Sequence, residues 1–337
     1  MSSITGVSAA DTNPTGDDPK APLAGDQAST GRLGDRLFGG AALGAGLTVI
    51  ALVVLIGVFL VSSAVPSLMK DEASFLTSRE WVPSGEHPRF GIALMLWTTV
   101  ISSIIAMLVA VPLGVGVALF ITQYAPPWLS RPAAQIIDLL AAVPSIVYGL
   151  WGLQIAGTYF DPVGNWVTGH LGWIPILKDT GATPRNTIAF VSIVLAIMVL
   201  PIVTALSREV FDQTPAAHKE GALALGATKW EMIRTAVLPF GKPGVISASM
   251  LGLGRALGET VAVMILLGTL AAGSSWSWSI FRGGETFASK IATNASEFDS
   301  PQKTGAYIAA GLVLFVLTFI VNAIARSVIE RRKAFSE

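Results

Sequence analysis

The sequence predicts an all-helical integral membrane protein with six membrane-spanning helices, and three observations carry that expectation. Only 13% of the 337 residues are charged while 52% are hydrophobic, against roughly 25% charge in a soluble globular protein. The apolar residues are gathered into charge-free runs, the longest being residues 37–69 and 90–130, and a helix needs only about 20 such residues to cross a hydrocarbon core about 30 Å thick. The runs are uniformly apolar rather than alternating. Helices satisfy their own backbone within such a run, whereas barrel strands would read as short alternating segments.

In order, the spans are expected at about residues 38–65, 91–121, 136–157, 187–206, 244–270 and 305–325. The first is centred on Leu47 to Val61, LTVIALVVLIGVFLV, and the third carries Asp138 near its start, close to Arg131. Pro112, Pro144 and Pro201 fall inside spans as kinks, tolerable where neighbouring helices or cavity water compensate. Residues 1–36 are rich in Asp, Pro, Gly, Thr and Ser and lack an apolar run, which reads as a disordered tail and not a secretory signal. Residues 331–337 form a second short tail, leaving residues 37–330 as the membrane domain.

Lys plus Arg equals Asp plus Glu at 22 each, so no overall excess points to nucleic acid. Distributed over the loops of six spans, thirteen Lys and Arg fall on the side of the amino terminus and eight on the other. That excess predicts both termini in the cytoplasm. There is no cysteine, hence no disulfide, thiolate site or thiol catalysis. His87, His170 and His218 are far apart in polar connections, so neither a metal site nor a cofactor is expected.

Residues 208–242, between the fourth and fifth spans, are too long and regular for a plain connector. From Glu220 to Pro239 they read EGALALGATKWEMIRTAVLP. Glu220, Ala222 and Leu223 begin one short helix, Gly226 allows a bend, and Thr228 with Glu231 three residues on forms a capping box for a second helix. Trp230, Ile233 and Val237 share one face at helical spacing, so the pair of helices suits a groove on a soluble partner. Gly221 to Thr228, GALALGAT, has the glycine spacing of a phosphate-binding loop, but Ala227 stands where its lysine must be and no strand precedes it. No nucleotide is expected to bind this chain, so any ATP hydrolysis belongs to a separate one.

Glu220, Gly221, Ala222, Gly226, Ile233 and Leu238-Pro239 resemble the EAA signature of ABC-importer permeases, with Gly221 where Ala is usual. Together with RALGETVAV, Arg255 to Val263, and AVPSIVYG, Ala142 to Gly149, the sequence resembles the PstC-type permease family of bacterial high-affinity phosphate importers over about residues 38–330. The resemblance implies a type I importer permease in the plasma (inner) membrane, forming half of a phosphate pathway. It also implies a PstA-like second permease, two PstB-like ATPase subunits, and an external PstS-like phosphate-binding protein. The ATPases would dock on the segment carrying Glu220, Gly221, Ala222, Gly226, Trp230, Ile233 and Pro239. Sulfate-type permeases carry a similar Arg-Ala-Leu-Gly-Glu, and a sulfate or molybdate permease is the nearest alternative. An autonomous secondary transporter or channel is the other, although such folds commonly repeat their broken helices and the fifth span's pattern has no second copy.

That fifth span holds two charges at depth, Arg255 and Glu259, which on a continuous helix would share a face and pair. Counting from about Gly244 at about 1.5 Å per residue places Arg255 about 16 Å deep. Charges there face a bundle interior or a water-filled path. Gly252, Gly254 and Gly258 leave either close helix packing or room for an ion. A guanidinium presents a planar fork of donors that fits phosphate oxygens. Arg255 is therefore expected on the substrate pathway, with Glu259 as its gating partner and Thr260 and Ser145 beside them; a locked structural pair is the plainer reading. Tyr148, near Pro144, could line the path or bond the kinked backbone. Ser274 to Phe281, SSWSWSIF, followed by Arg282, reads as an interfacial hairpin or short helix, or as a dock for an external binding protein.

Overall fold

The computed structural model describes residues 33–270 and 275–333, so the expected amino-terminal tail lies almost wholly, and the end of the carboxy-terminal tail wholly, outside the described residues. Helix α1 (Leu33–Leu68) leads into a small antiparallel hairpin, β1 (Trp81–Val82) with β2 (Arg89–Phe90). Helices α2 (Ala93–Leu119), α3 (Pro127–Ala141), α4 (Ser145–Trp151), α5 (Gly157–Leu171) and α6 (Ile188–Asp212) follow. Then come α7 (Ala216–Ala224), α8 (Lys229–Met232), α9 (Leu238–Leu257), α10 (Val261–Leu266), α11 (Phe287–Thr293) and α12 (Pro301–Lys333). Among the described residues, five helices are long and apolar enough to cross a membrane, and α3 with α4–α5 makes a sixth if that bent pair is one span.

The chain divides into two units between Leu55 and Ile56. In the first, every residue of α1 from Gly34 to Leu55 is exposed, although the segment is apolar on all sides. Such a helix is suited to lipid or to another membrane subunit. In the second unit α6 is the core element, with Phe190, Val191, Val194, Leu195, Met198, Val199 and Val203 buried. It can be surrounded because its neighbours present small side chains. On α2, Ser102, Ser103, Ala106, Ala110, Gly114 and Ala118 recur at helical spacing on the buried face. A methyl group at Gly114 would sit 3.1 Å from Val203 and 3.2 Å from Thr204. On α9, a methyl at Gly244 would come within 2.4 Å of Val210 and one at Gly252 within 2.7 Å of Val199. These are the small-residue faces that let membrane helices approach closely.

Two expected spans are not single helices. The third breaks at Ala142–Pro144, where α3 ends and α4 begins, with the two parts bent by 91°. Pro144 lacks an amide hydrogen and biases the residue before it away from helix. The carbonyl of Leu140 left at the break accepts from the Tyr148 hydroxyl at 3.0 Å, so Tyr148 bonds the kinked backbone. The fifth span does not continue as helix to residue 270: α9 stops at Leu257, α10 resumes at Val261 and ends at Leu266. Pro112 and Pro201, by contrast, lie within continuous helices. Asp138 pairs with Arg208 of α6 at 3.2 Å, not with Arg131.

Connections collect at two ends of α6, whose 25 residues span about 37 Å. At its start, Ile188 and Ala189 donate to the carbonyls of Arg282 (3.0 Å) and Ile280 (2.9 Å), and Gly268 donates to Asn186 at 3.0 Å. At its end, Phe211 packs with Ala118, Met232, Ile233 and Val237.

Candidate functional site

The site is the break in the fifth span. Gly258 closes α9 by donating to the Gly254 carbonyl at 3.2 Å, and the Thr260 hydroxyl donates to the Gly258 carbonyl at 3.1 Å. Glycine in a helix interior costs about 1 kcal/mol relative to alanine, so Gly254 and Gly258 make this the weak point of an apolar run. Glu259 is buried, and its Oε1 accepts from the Ala262 amide at 3.1 Å. A carboxylate so placed satisfies one of the open N–H groups at the start of α10 and meets the positive end of its dipole.

The i to i+4 pairing expected of Arg255 and Glu259 is consequently not made, because the helix that would align them stops between them. Among the described residues, Arg255 has no ion-pair or side-chain hydrogen-bond partner. Its side chain is exposed on a stripe with Leu251, Gly254 and Gly258, all exposed at helical spacing. Nothing lies within 4 Å of where a Gly254 side chain would begin. Gly252 meets Val199 and Gly152 meets Val194, so the segments beside the two breaks pack along the first half of α6.

The second break adjoins the first. Helix α4 packs on α10, and a methyl group at Gly149 would sit 3.2 Å from the Ala262 Cα and 3.1 Å from Ile265. Ser145, the first residue of α4, and Thr260 are half-buried. Arg255, Glu259, Thr260 and Ser145 thus lie on the segments that flank the two breaks. Sequence reasoning named the residues but missed that both segments are broken; Pro144 and the Gly254, Gly258 pair were the available signals.

The segment from Glu220 to Pro239 is built at the far end of α6. Gly226 takes φ +85, the left-handed region that glycine tolerates, and turns the chain between α7 and α8. Thr228 then caps α8: it accepts from the Glu231 amide at 3.3 Å while Glu231 accepts from the Thr228 amide at 2.8 Å. The Thr228 amide first, and the Thr228 hydroxyl, which also donates to that carboxylate at 2.8 Å, hold the Glu231 carboxyl below its ordinary range. The expected shared face of Trp230, Ile233 and Val237 is divided. Ile233 and Val237 are fully buried against Phe211, whereas Trp230 is exposed, because the chain widens into a π-type turn over Ile233–Val237 and rotates the face. Glu220, Gly221, Gly226 and Pro239 are exposed and Ala222 is half-buried, with Leu223 and Leu225 also exposed. A groove of about 470 Å³ runs between Gly221, Ala222, Thr235 and Pro239.

At the other end, the segment expected as an interfacial hairpin or helix is neither. Its first residue, Ser274, lies outside the described residues, and residues 275–285 run irregularly, tied down by local donors. Ser279 donates to the Lys178 carbonyl at 2.6 Å, the Phe281 amide donates to Ser279 at 3.0 Å, and Thr180 donates to the Phe281 carbonyl at 2.6 Å. Only Trp278 keeps the exposure expected of an interfacial aromatic.

The profile of a family described as "Binding-protein-dependent transport system inner membrane component" matches residues 110–334. The "Phosphate transport system permease protein PstC 2" of Mycobacterium tuberculosis is 52% identical over 300 residues, covering 88% of this chain and 92% of that one. The "Phosphate transport system permease protein PstC" of Mesorhizobium japonicum is 37% identical over 302 residues, covering 89% and 91%. A solved structure of the MetNI methionine ABC transporter in an inward-facing conformation aligns with a TM-score of 0.48 at 16% identity, covering 72% of this chain and 94% of that one.

Proposed function

The chain belongs to the family of binding-protein-dependent transport system inner membrane components, and on that premise we infer that it is the PstC-type permease subunit of an ATP-driven phosphate importer. The observation that carries the substrate is its 52% identity, across most of its length, to a permease named for phosphate transport. Its partners on this reading are a PstA-like permease, two PstB-like ATPase subunits and a PstS-like external binding protein. ATP is hydrolysed on the ATPase chains, and this chain supplies half of the path.

Arg255 is the way-station of that path. An uncovered guanidinium flanked by glycines can offer two parallel N–H donors to an oxyanion. Glu259 fixes the start of α10 and so holds the break that separates it from Arg255. The exposed stripe of Leu251, Gly254, Arg255 and Gly258 faces the second permease across the path. The coupling segment, with exposed Glu220, Leu223, Leu225 and Trp230, docks in the cytoplasm on an ATPase subunit. Closure of the ATPase pair pulls that segment, α9 moves as its continuation, and the break opens outward; hydrolysis resets it.

The experiment is uptake of labelled phosphate at low micromolar concentration in cells lacking this chain, with the intact chain or Arg255→Gln restored and excess sulfate as competitor. Restoration by the intact chain alone, indifferent to sulfate, is the expected result. Restoration by Arg255→Gln as well would remove Arg255 from the path, and competition by sulfate would move the substrate to the sulfate class.

A further inference from the structure

At the end of α6 opposite the coupling segment, the structure leaves a buried cation without a counter-charge. Arg282 is 3% exposed, yet among the described residues no carboxylate pairs with it. Among the described residues, one of its five N–H groups is committed, Nη1 donating to the Ser277 carbonyl at 2.8 Å. Its guanidinium lies 5.5 Å from the centre of the Trp276 ring, and that of Arg79 lies 4.7 Å from the same ring. Two like charges therefore share one indole, whose own N–H is buried without an acceptor among the described residues. Burial first, and the charge of Arg79 second, hold the Arg282 guanidinium below its ordinary value. A buried charge is normally paired, and this one lines an open cleft.

The cleft has a volume of about 670 Å³ and is walled by Arg282, Lys178, Asn186, Gly268 and Gly283. Among the described residues Asp179 is the one acid on its wall, and its Oδ1 already accepts from the Gly181 amide at 2.8 Å. Two cations against one committed carboxylate leave the cleft positive. Gly268 and Gly283 bring two backbones together, since a methyl group at Gly283 would fall 2.2 Å from the Gly268 carbonyl oxygen. Gly268 follows α10 by one residue beyond its cap, so the cleft continues from the segment that begins at the break.

We propose that this cleft is an oxyanion-binding station, centred on Arg282 with Lys178 as its second cation, that takes phosphate at the end of the path away from the coupling segment and passes it along α10 toward Arg255. The station rests on the phosphate reading for its place in transport, whereas its chemistry, a tetrahedral oxyanion on an unpaired guanidinium, is tested separately. Arg is suited to it because its planar fork binds oxyanions bidentately.

The test uses the assembled importer in proteoliposomes, titrated with inorganic phosphate, sulfate or chloride at matched ionic strength while tryptophan fluorescence is followed. A saturable change with phosphate is expected, absent in Trp276→Phe and retained in Arg255→Gln. Arg282→Gln is expected to raise the half-saturating concentration at least tenfold, Arg282→Lys less, and Lys178→Gln, at an exposed position, several-fold. Equal saturation by sulfate supports a station for the oxyanion class. No saturable change in an importer that takes up phosphate overturns the proposal, as does an equal response to chloride. If Arg282→Gln does not assemble, Lys178→Gln decides, and an unchanged half-saturation there overturns it. An importer that binds phosphate in the cleft but does not transport it would sink the phosphate-uptake reading and leave the station standing.

Discussion

Glu259 illustrates how one residue's role changes when its backbone is known. On an unbroken helix it would neutralise Arg255; in the structure its carboxylate accepts the Ala262 amide and starts α10. The two roles separate under substitution. Glu259→Gln removes the charge but keeps an oxygen that can accept, whereas Glu259→Ala removes both. Capping side chains contribute about 1 kcal/mol, so Glu259→Ala is expected to lower the thermal unfolding midpoint of the detergent-solubilised chain by a few degrees. Glu259→Gln is expected to stay near the parent. A Gln variant as unstable as the Ala variant would return Glu259 to being the ionic partner of Arg255. The charges themselves were legible in the sequence, being conspicuous in an apolar run. Their separation was not, because spacing of four residues implies contact only while the intervening backbone remains helical.

At the scale of elements, the apolar runs fixed where helices form, and small residues fixed which faces meet. The stripe of Ser, Ala and Gly on α2 could be read from the chain, but its partner α6 could not, since nothing in the sequence names a neighbour at a distance. Gly114→Leu is expected to prevent that packing: the space beyond Gly114 is already filled by Val203 and Thr204, and overpacking of this kind costs about 1–3 kcal/mol. The variant is expected to insert but to be degraded, as measured by its steady-state level in membranes. In the coupling segment, the Thr228 and Glu231 box was legible because it is local, whereas the turn over Ile233–Val237 that buries Ile233 was not. Thr228→Ala is expected to cost the cap about 1 kcal/mol and to reduce copurification of the ATPase subunits. The pH dependence has a definite sign. The Glu231 carboxyl is held below its ordinary range by Thr228, so its contribution is fully present above that range and is lost as pH falls through the lowered value. ATPase retention measured at successively lower pH is expected to weaken there in the parent and to be insensitive in Glu231→Gln.

For the whole molecule, the two collections of loops at the ends of α6 turn a charge count into a geometric statement. The segment carrying Arg208, Lys219, Lys229, Arg234 and Lys242 lies at the end formed by Phe211 and Ile233, and Lys178 and Arg282 lie at the end formed by Ile188. The excess of Lys and Arg predicts the first end in the cytoplasm, as the proposed docking of ATPases there requires. Both ends cannot be tested by function alone, since loss of transport follows from damage to either. The chain contains no cysteine, which makes single-cysteine labelling direct. Leu225→Cys and Lys178→Cys both replace exposed residues, and neither position supports the core. With a maleimide that cannot cross the membrane, applied to intact cells, Lys178→Cys is expected to react and Leu225→Cys only after the membrane is opened. The reverse pattern would place the coupling segment outside, where no ATPase could reach it. It would also put the Arg282 cleft on the cytoplasmic side, so that an oxyanion bound there would be leaving the path and not entering it.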